Sequence, residues 1–288
     1  MKPNRLQSVL VIFTLTISLF SCTKDNAGLT NSTDNTENET TFELSGDQAI
    51  ADNLVEDASN VFMEAAADKN LLGSNFTAQP VQTSNILACA AISVTPATGF
   101  PKTIVIDFGN GSCTSSNGIV HKGKINIVLS DSVRKAGSKA VMTFTNYSVN
   151  GFKKEATVTW TNTSTPAVRS WQRKVENGKV TAPGGLYWTH SGVREVVQIA
   201  GANTPGTLLD DVFMITGNYK VTNAAGKTRD CFITEALQKK IACDNIGTGK
   251  LKVEGAQHDA VIDFGNGDCD KLATISIDGQ APRTIALR

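Results

Sequence analysis

The chain has 288 residues, 27 basic and 27 acidic side chains, and three isolated histidines. No basic cluster stands out, which argues against nucleic acid as a partner, and no apolar run after residue 20 is long enough to span a membrane. Thr, Ser, Asn and Gly are abundant while long Leu-rich stretches are absent, a balance that favours strands and tight turns over helices.

Lys2 and Arg5 precede an apolar stretch at residues 9–20 (VLVIFTLTISLF), and polar residues begin at once after Cys22. This fits a secretory signal over residues 1–21 better than a membrane span of roughly 20 apolar residues. Leu19-Phe20-Ser21-Cys22 resembles the lipobox of bacterial lipoproteins, which implies cleavage before Cys22 and acylation of its thiol. Two or more acyl chains hold a protein stably at a bilayer where one does not. Lys24-Asp25 resembles the surface-export signal of Bacteroidota lipoproteins, with Asn26 where a second acid is usual, so outer-membrane anchoring is the expectation and the choice of leaflet, surface display included, stays open. Cleavage would remove Lys2 and Arg5, leaving 27 − 2 = 25 basic against 27 acidic residues, a net charge of −2.

Residues 22–44 are rich in Asn, Thr, Ser and acid, with too little apolar surface to offset ordering, and read as a disordered tether. Residues 45–73 read as an amphipathic helix, capped by Ser45 or Asp47 and stopped near Gly73. Ile50, Leu54, Ala58, Val61, Phe62 and Ala65 recur at three- and four-residue steps, one apolar stripe to pack on a β-body.

That body, residues 74–288, alternates with period two. Strands are expected near 103–108, 123–130, 141–149, 152–160, 193–199, 212–222, 228–235, 248–254, 259–264 and 272–278. Asn150-Gly151 predicts a type I′ hairpin pairing Val149 with Phe152, Thr143 with Val158 and Val141 with Trp160, with Met142 and Phe144 out of pattern; Asn177-Gly178 predicts another hairpin. The order implies a mainly β fold, either an antiparallel β-sandwich or an extended β-meander, behind one N-terminal helix.

An internal repeat lies near 89–130 and 243–288: TIVIDFGNGSC at 103–113 and DAVIDFGNGDC at 259–269, each preceded by a cysteine. Duplication of a supersecondary unit is the natural explanation. With Asn110-Gly111 and Asn266-Gly267 at hairpin tips, Phe108 would face Cys113 and Phe264 would face Cys269, all core-directed. Symmetry and geometry predict disulfides Cys89–Cys113 and Cys243–Cys269, with Cys231 unpaired; the rival pairs Cys231 with Cys243 across a hairpin. The repeats resemble a family of uncharacterised Bacteroidota lipoproteins with a polar leader, a helix and two Cys…IDFG-x-G-x-C hairpins. The resemblance implies architecture and location, and no activity.

Candidate chemistry is sparse. Asp-Phe-Gly occurs without any other kinase motif, and neither a metalloprotease pair nor a serine-hydrolase elbow is present. Asp263, Asn266, Asp268 and Asp270 form a calcium candidate at one turn. Trp171, Tyr187 and Trp188 form a candidate sugar platform. Asp131-Ser132-Val133 resembles an O-glycosylation site of Bacteroidota, with Ser132 as acceptor. No cofactor is implied. The expected function is a lipid-anchored, non-catalytic structural or binding module of the outer membrane, whose partners are the membrane through Cys22 and glycans or other envelope proteins. The alternative is a surface hydrolase or glycan-binding protein acting on polysaccharide.

Overall fold

A computed structural model describes residues 27–73, 81–111 and 113–287. The expected signal and Cys22 lie outside the described residues. Helix α1 (Ala27–Asp68) precedes β1 (Ala91–Thr95), β2 (Lys102–Asp107), β3 (Cys113–Thr114), β4 (Val120–Leu129), β5 (Lys139–Val149), β6 (Phe152–Asn162) and β7 (Ser170–Thr181). There follow β8 (Tyr187–Ala200), β9 (Val212–Asn223), β10 (Thr228–Lys240), β11 (Thr248–Glu254), β12 (Ala260–Asn266), β13 (Leu272–Ile277) and β14 (Arg283–Ala286). All fourteen form one antiparallel sheet in chain order, except that β3 lies beside β4 in line with β2. Of the two expected arrangements this is the meander. The layer that a second sheet would supply is supplied by α1.

The sheet bends round the helix. Side chains from β4, β5, β7, β8 and β10 all reach α1. Register shifts interrupt the ladders of β4–β5, β5–β6, β6–β7, β7–β8, β9–β10, β10–β11 and β11–β12. Bulges bend a strand and increase its twist, so a series of them turns a flat meander into a trough. Gly192 shows the local cost: its φ is 156°, and a Cβ there would stand 2.0 Å from Cδ1 of Tyr219.

The bulges also explain why some strand expectations fail. Val149 pairs with Phe152 as expected, across Asn150 and Gly151 with φ of 49° and 84°. Beyond Asn146, whose φ is 49°, the register slips by one and Met142 pairs with Val158. Met142 is therefore buried and Phe144 half-buried against the core, while Thr143 and Thr145 face out. Asn177-Gly178 makes no hairpin; β7 runs straight through it, with the positive φ of Asn177 used in a bulge.

The repeat is also built differently from a pair of tight hairpins. Cys113 pairs with His121 of β4, on the side of β4 that β2 already borders. In both copies the turn is made by Asp-Phe-Gly: Asp107 Oδ1 accepts the Gly109 N–H at 2.8 Å, and Asp263 Oδ1 accepts the Gly265 N–H at 2.9 Å. Gly109 and Gly265, with φ of 73° and 96°, supply the left-handed step one residue earlier than expected; strand β2 ends there in the first copy, whereas in the second β12 runs on to Asn266, which pairs with Thr248 of β11. Phe108 and Phe264 are buried.

The bridges are Cys89–Cys113 and Cys243–Cys269, with Cα separations of 5.6 and 5.0 Å, and Cys231 is a buried free thiol. Cys113 and Cys243 are buried, whereas Cys89 and Cys269 are exposed, so only the first hairpin cysteine points into the core as expected. Loops of 24 and 26 residues correspond to roughly 3–4 kcal/mol each in the chain-entropy description.

Helix α1 differs most from expectation. It begins at Ala27, well inside the stretch expected to be a tether, and Ser45 and Asp47 lie in its interior. Glu37, Thr41 and Leu44 are buried, and Arg229 reaches Glu37 and Thr41; these tertiary contacts stabilise what composition alone would leave unfolded. The helix ends before Gly73. Asn70, with φ of 56°, takes the left-handed cap position, and Leu71 N–H reaches the Ala66 carbonyl at 2.7 Å in a Schellman arrangement. From residue 51 to 67 every side chain is buried, so the helix is enclosed on all sides instead of presenting one stripe.

Candidate functional site

Enclosing a helix that carries Asp52, Asn53, Glu56, Asp57 and Glu64 requires a partner for each, because an unpaired buried charge costs several kcal/mol. The sheet supplies partners for Asp52, Glu56 and Asp57 from inward positions that alternate with apolar ones, and loop backbone supplies those of Asn53 and Glu64. Arg173, between Trp171 and Val175 on β7, grips Glu56 with both Nη atoms and also donates to Ser59 at 3.0 Å. Arg194 of β8 donates to both oxygens of Asp52 at 3.2 Å. Asn53 accepts the Ile246 N–H at 2.8 Å, and Glu64 accepts the Ser84 N–H at 2.8 Å. Burial pushes the Asp52 carboxyl up, and the Arg194 guanidinium pulls against it.

The arrangement nearest to catalytic machinery is His121–Asp57–Tyr147. His121 Nε2 stands 3.0 Å from Asp57 Oδ2, and the Tyr147 hydroxyl donates to the same oxygen at 2.9 Å. Phe108 stacks on the imidazole at 4.8 Å. A general base must reach its substrate, and here both the imidazole and the carboxylate are sealed from solvent. The cluster fastens α1 to β4 and β5.

A further group lies among β6, β8 and β9. The Lys154 amine is buried above the Phe144 ring at 5.4 Å, and burial, reinforced by Arg173, pushes it down to about 7 while Asp57, Asp52 and Glu56 oppose. His190 packs on Tyr219 at 6.0 Å, its Cδ2 and Nε2 lying 2.7 and 2.8 Å from where a Gly178 side chain would begin. Burial holds His190 well below its ordinary range and pushes the Tyr219 hydroxyl up to about 12.

The sites expected from sequence separate clearly. Trp171 is 1% exposed, packed on Trp160 and Phe213, and Trp188 is buried against Phe152. Neither can offer a face to sugar, because both occupy inward strand positions; the three-aromatic platform is not formed. Tyr187 alone is exposed, at 41%, with the Lys179 ammonium 4.4 Å from its ring centre. The calcium candidate falls as well. Asp263, Asn266 and Asp270 spend an oxygen each on the N–H of Gly265, Asp268 and Leu272, and Asp268 is exposed beside them. Among the described residues no three His, Cys, Asp or Glu side chains converge to hold a metal. Ser132 sits half-buried in the loop between β4 and β5, its N–H donated to Asp131 at 2.8 Å.

Asp211, buried under the loop before β9, faces Arg134 at 3.7 Å and accepts from Gln198 at 2.8 Å, and burial pushes its carboxyl up to about 7. It ties the loop to the sheet. Asp210 turns away to Thr204.

On the outer face of the sheet a groove of about 640 Å³ crosses β7, β8 and β9. Lys179 and Glu176 come from β7, Thr189 and Ser191 from β8, and Lys220 and Thr222 from β9, around the bulge at Asn177 and Gly178. Sequence reasoning missed it, since the bulge that creates it read as a hairpin. Outward residues here, such as Lys174, Lys179, Glu195 and Lys220, are charged, which is incompatible with hydrocarbon around this part of the sheet. No described helix is long and apolar enough to cross a membrane. No family model, curated protein or solved structure matches the chain.

Proposed function

We propose that the chain is an exported lipoprotein, cut before Cys22, acylated there and held at the outer membrane, whose β-body serves as a non-catalytic structural or binding module. The observation that carries this is Leu19-Phe20-Ser21-Cys22 immediately behind an apolar run with a basic start. Two disulfides in the body support it, since such bonds persist outside the reducing cytoplasm. Kinship with the Bacteroidota lipoproteins, surface display and a glycan on Ser132 belong to the same reading. A hydrolase gains no support from the interior, because the His121–Asp57 pair is closed to substrate. The test is metabolic labelling with radioactive fatty acid followed by membrane fractionation. Wild type should carry label and sediment with the outer membrane, and Cys22→Ala should do neither. Label on the Cys22→Ala chain would overturn the proposal.

A further inference from the structure

The groove over β7, β8 and β9 has the makings of a ligand site, and its lining restricts the ligand. We infer that it binds an acidic saccharide, one bearing uronate or sulfate groups. This deepens the binding-module reading of the body and does not depend on the anchor.

Size comes first. A volume of about 640 Å³ lies within the range of small-molecule sites, roughly 300–1,000 Å³. Neighbouring strands stand about 4.8 Å apart, so a groove crossing three of them runs for roughly 10 Å, more than a lone phosphate or sulfate occupies.

Chemistry comes second. Ser191 presents a hydroxyl and Asn177 an amide, and the hydroxyls of Thr189 and Thr222, though engaged with the Thr222 carbonyl at 3.5 Å and with Thr228 at 2.8 Å, keep lone pairs that can accept from sugar hydroxyls. Charge is contributed unevenly. Glu176 is engaged by Lys174 at 2.7 Å and Lys220 by Asp230 at 3.1 Å. Lys179 lies over the Tyr187 ring; Glu155, opposite it in the β6–β7 ladder, is engaged by Lys153 at 3.1 Å, and among the described residues Lys179 makes no ion pair, leaving a positive charge at the rim. Tyr187 lies two residues from Thr189 on the same face of β8, so an aromatic edge flanks the row of hydroxyls. Aromatic faces serve sugar rings as they serve other amphipathic bodies, one side apolar and one wet. The lining lacks the apolar side chains that a lipid or drug-like ligand would need.

The arrangement also has a reason to persist. The bulge at Asn177–Gly178 takes β7 out of register with β8 between Val175 and Gly178, which opens the surface. Beneath it, the bare Gly178 leaves room for the His190 ring. The groove is thus fixed by backbone and core, and its occupant meets preformed walls.

The test uses the full chain in detergent micelles and isothermal titration with four probes: oligogalacturonate, a heparin oligosaccharide, a neutral cello-oligosaccharide and inorganic phosphate. At least one acidic oligosaccharide should bind, at least tenfold tighter than the neutral one or phosphate. Lys179→Gln and Tyr187→Ala should each weaken it tenfold or more with the melting temperature unchanged, since both side chains lie on the outer face. Should either variant melt early, Thr189→Val replaces it and must show the same loss. Failure of both acidic probes, equal binding of phosphate, or affinity that survives the substitutions would overturn the inference. Acylation of Cys22 is read by a separate assay, so failure here leaves the anchor standing.

Discussion

The guanidinium of Arg173 on β7 lies against the carboxylate of Glu56 on α1, Nη1 to Oε2 at 3.1 Å, with side chains 2% and 6% exposed. The two residues are 117 positions apart in the chain. Such a pair repays its desolvation only while both partners stay charged and aligned, which makes loss of one partner worse than loss of both. Glu56→Leu should destabilise by about 3–5 kcal/mol, and Arg173→Met by a smaller amount. The double variant Glu56→Leu with Arg173→Met should recover most of the loss. Urea unfolding of the four proteins checks this; additive effects of the two changes would show that the pair is not coupled.

Lys154 is the opposite case, a buried amine whose neighbours include Arg173 and His190 as well as the helix acids. Lowering a lysine pKa in the fold means that its contribution is favourable above its ordinary value of about 10.4 and is lost as pH falls toward about 7. Lys154→Met, which keeps the stem and removes the amine, should stabilise the protein at pH 7 by something on the order of 1–4 kcal/mol. The melting temperature of the variant should exceed the parent by several degrees at pH 6 and by less at pH 10. A lower melting temperature at pH 6 would show that the amine is satisfied.

At the other end of α1, His258 is held between two carboxylates, Nδ1 to Asp278 at 2.6 Å and Nε2 to Asp34 at 2.8 Å. Asp259, whose N–H also binds Asp278, is paired with Lys252 at 3.0 Å, so the acids facing the ring outnumber its cationic neighbours. Only the imidazolium can donate from both nitrogens. The hydrogen bond to Asp278 raises the His258 pKa, and the one to Asp34 adds to it; the same bond lowers Asp278. The latch is therefore fully present below the free histidine value of about 6.5 and is lost as pH rises through the higher folded value. At the acid end it is lost as Asp278 protonates below its free value of about 3.9. Hydrogen exchange of residues 34–41 should quicken between pH 6 and pH 8.5 beyond the intrinsic pH effect. His258→Gln should abolish that excess; an unchanged excess would rule out His258 as its source.

How much of this was legible in the chain depends on the distance between partners. Alternation within β2, β4, β9 and β12 is local, and those strands lie where the pattern placed them. The bridges followed from the repeat, which is also visible within one chain. Asn-Gly was ambiguous: both residues adopt positive φ at 150–151, while at 177–178 the same dipeptide serves a bulge, and only the continuation of neighbouring strands decides between them. The acids of α1 lay off the expected apolar stripe and had no assigned partner, because Arg173, Arg194 and His121 are remote in sequence. A signal was present in Arg173 itself, a charge at an inward position between Trp171 and Val175. The groove had no sequence signature, being made by a register shift.

The proposal of an exported, lipid-bearing and doubly bridged mature chain makes a definite prediction of mass. Intact-mass spectrometry of the native protein, taken from the envelope without reductant, measures it directly. The expected value is residues 22–288 plus diacylglycerol and an N-linked acyl chain, less four hydrogens for Cys89–Cys113 and Cys243–Cys269, with added sugar on Ser132; peptide and lipid alone would rule the glycan out and leave the anchor standing. A ladder of added sugar masses that Ser132→Ala removes would place the glycan. An unmodified mass for residues 1–288, or a mature chain without lipid, would contradict the proposal that this protein is a lipid-anchored module.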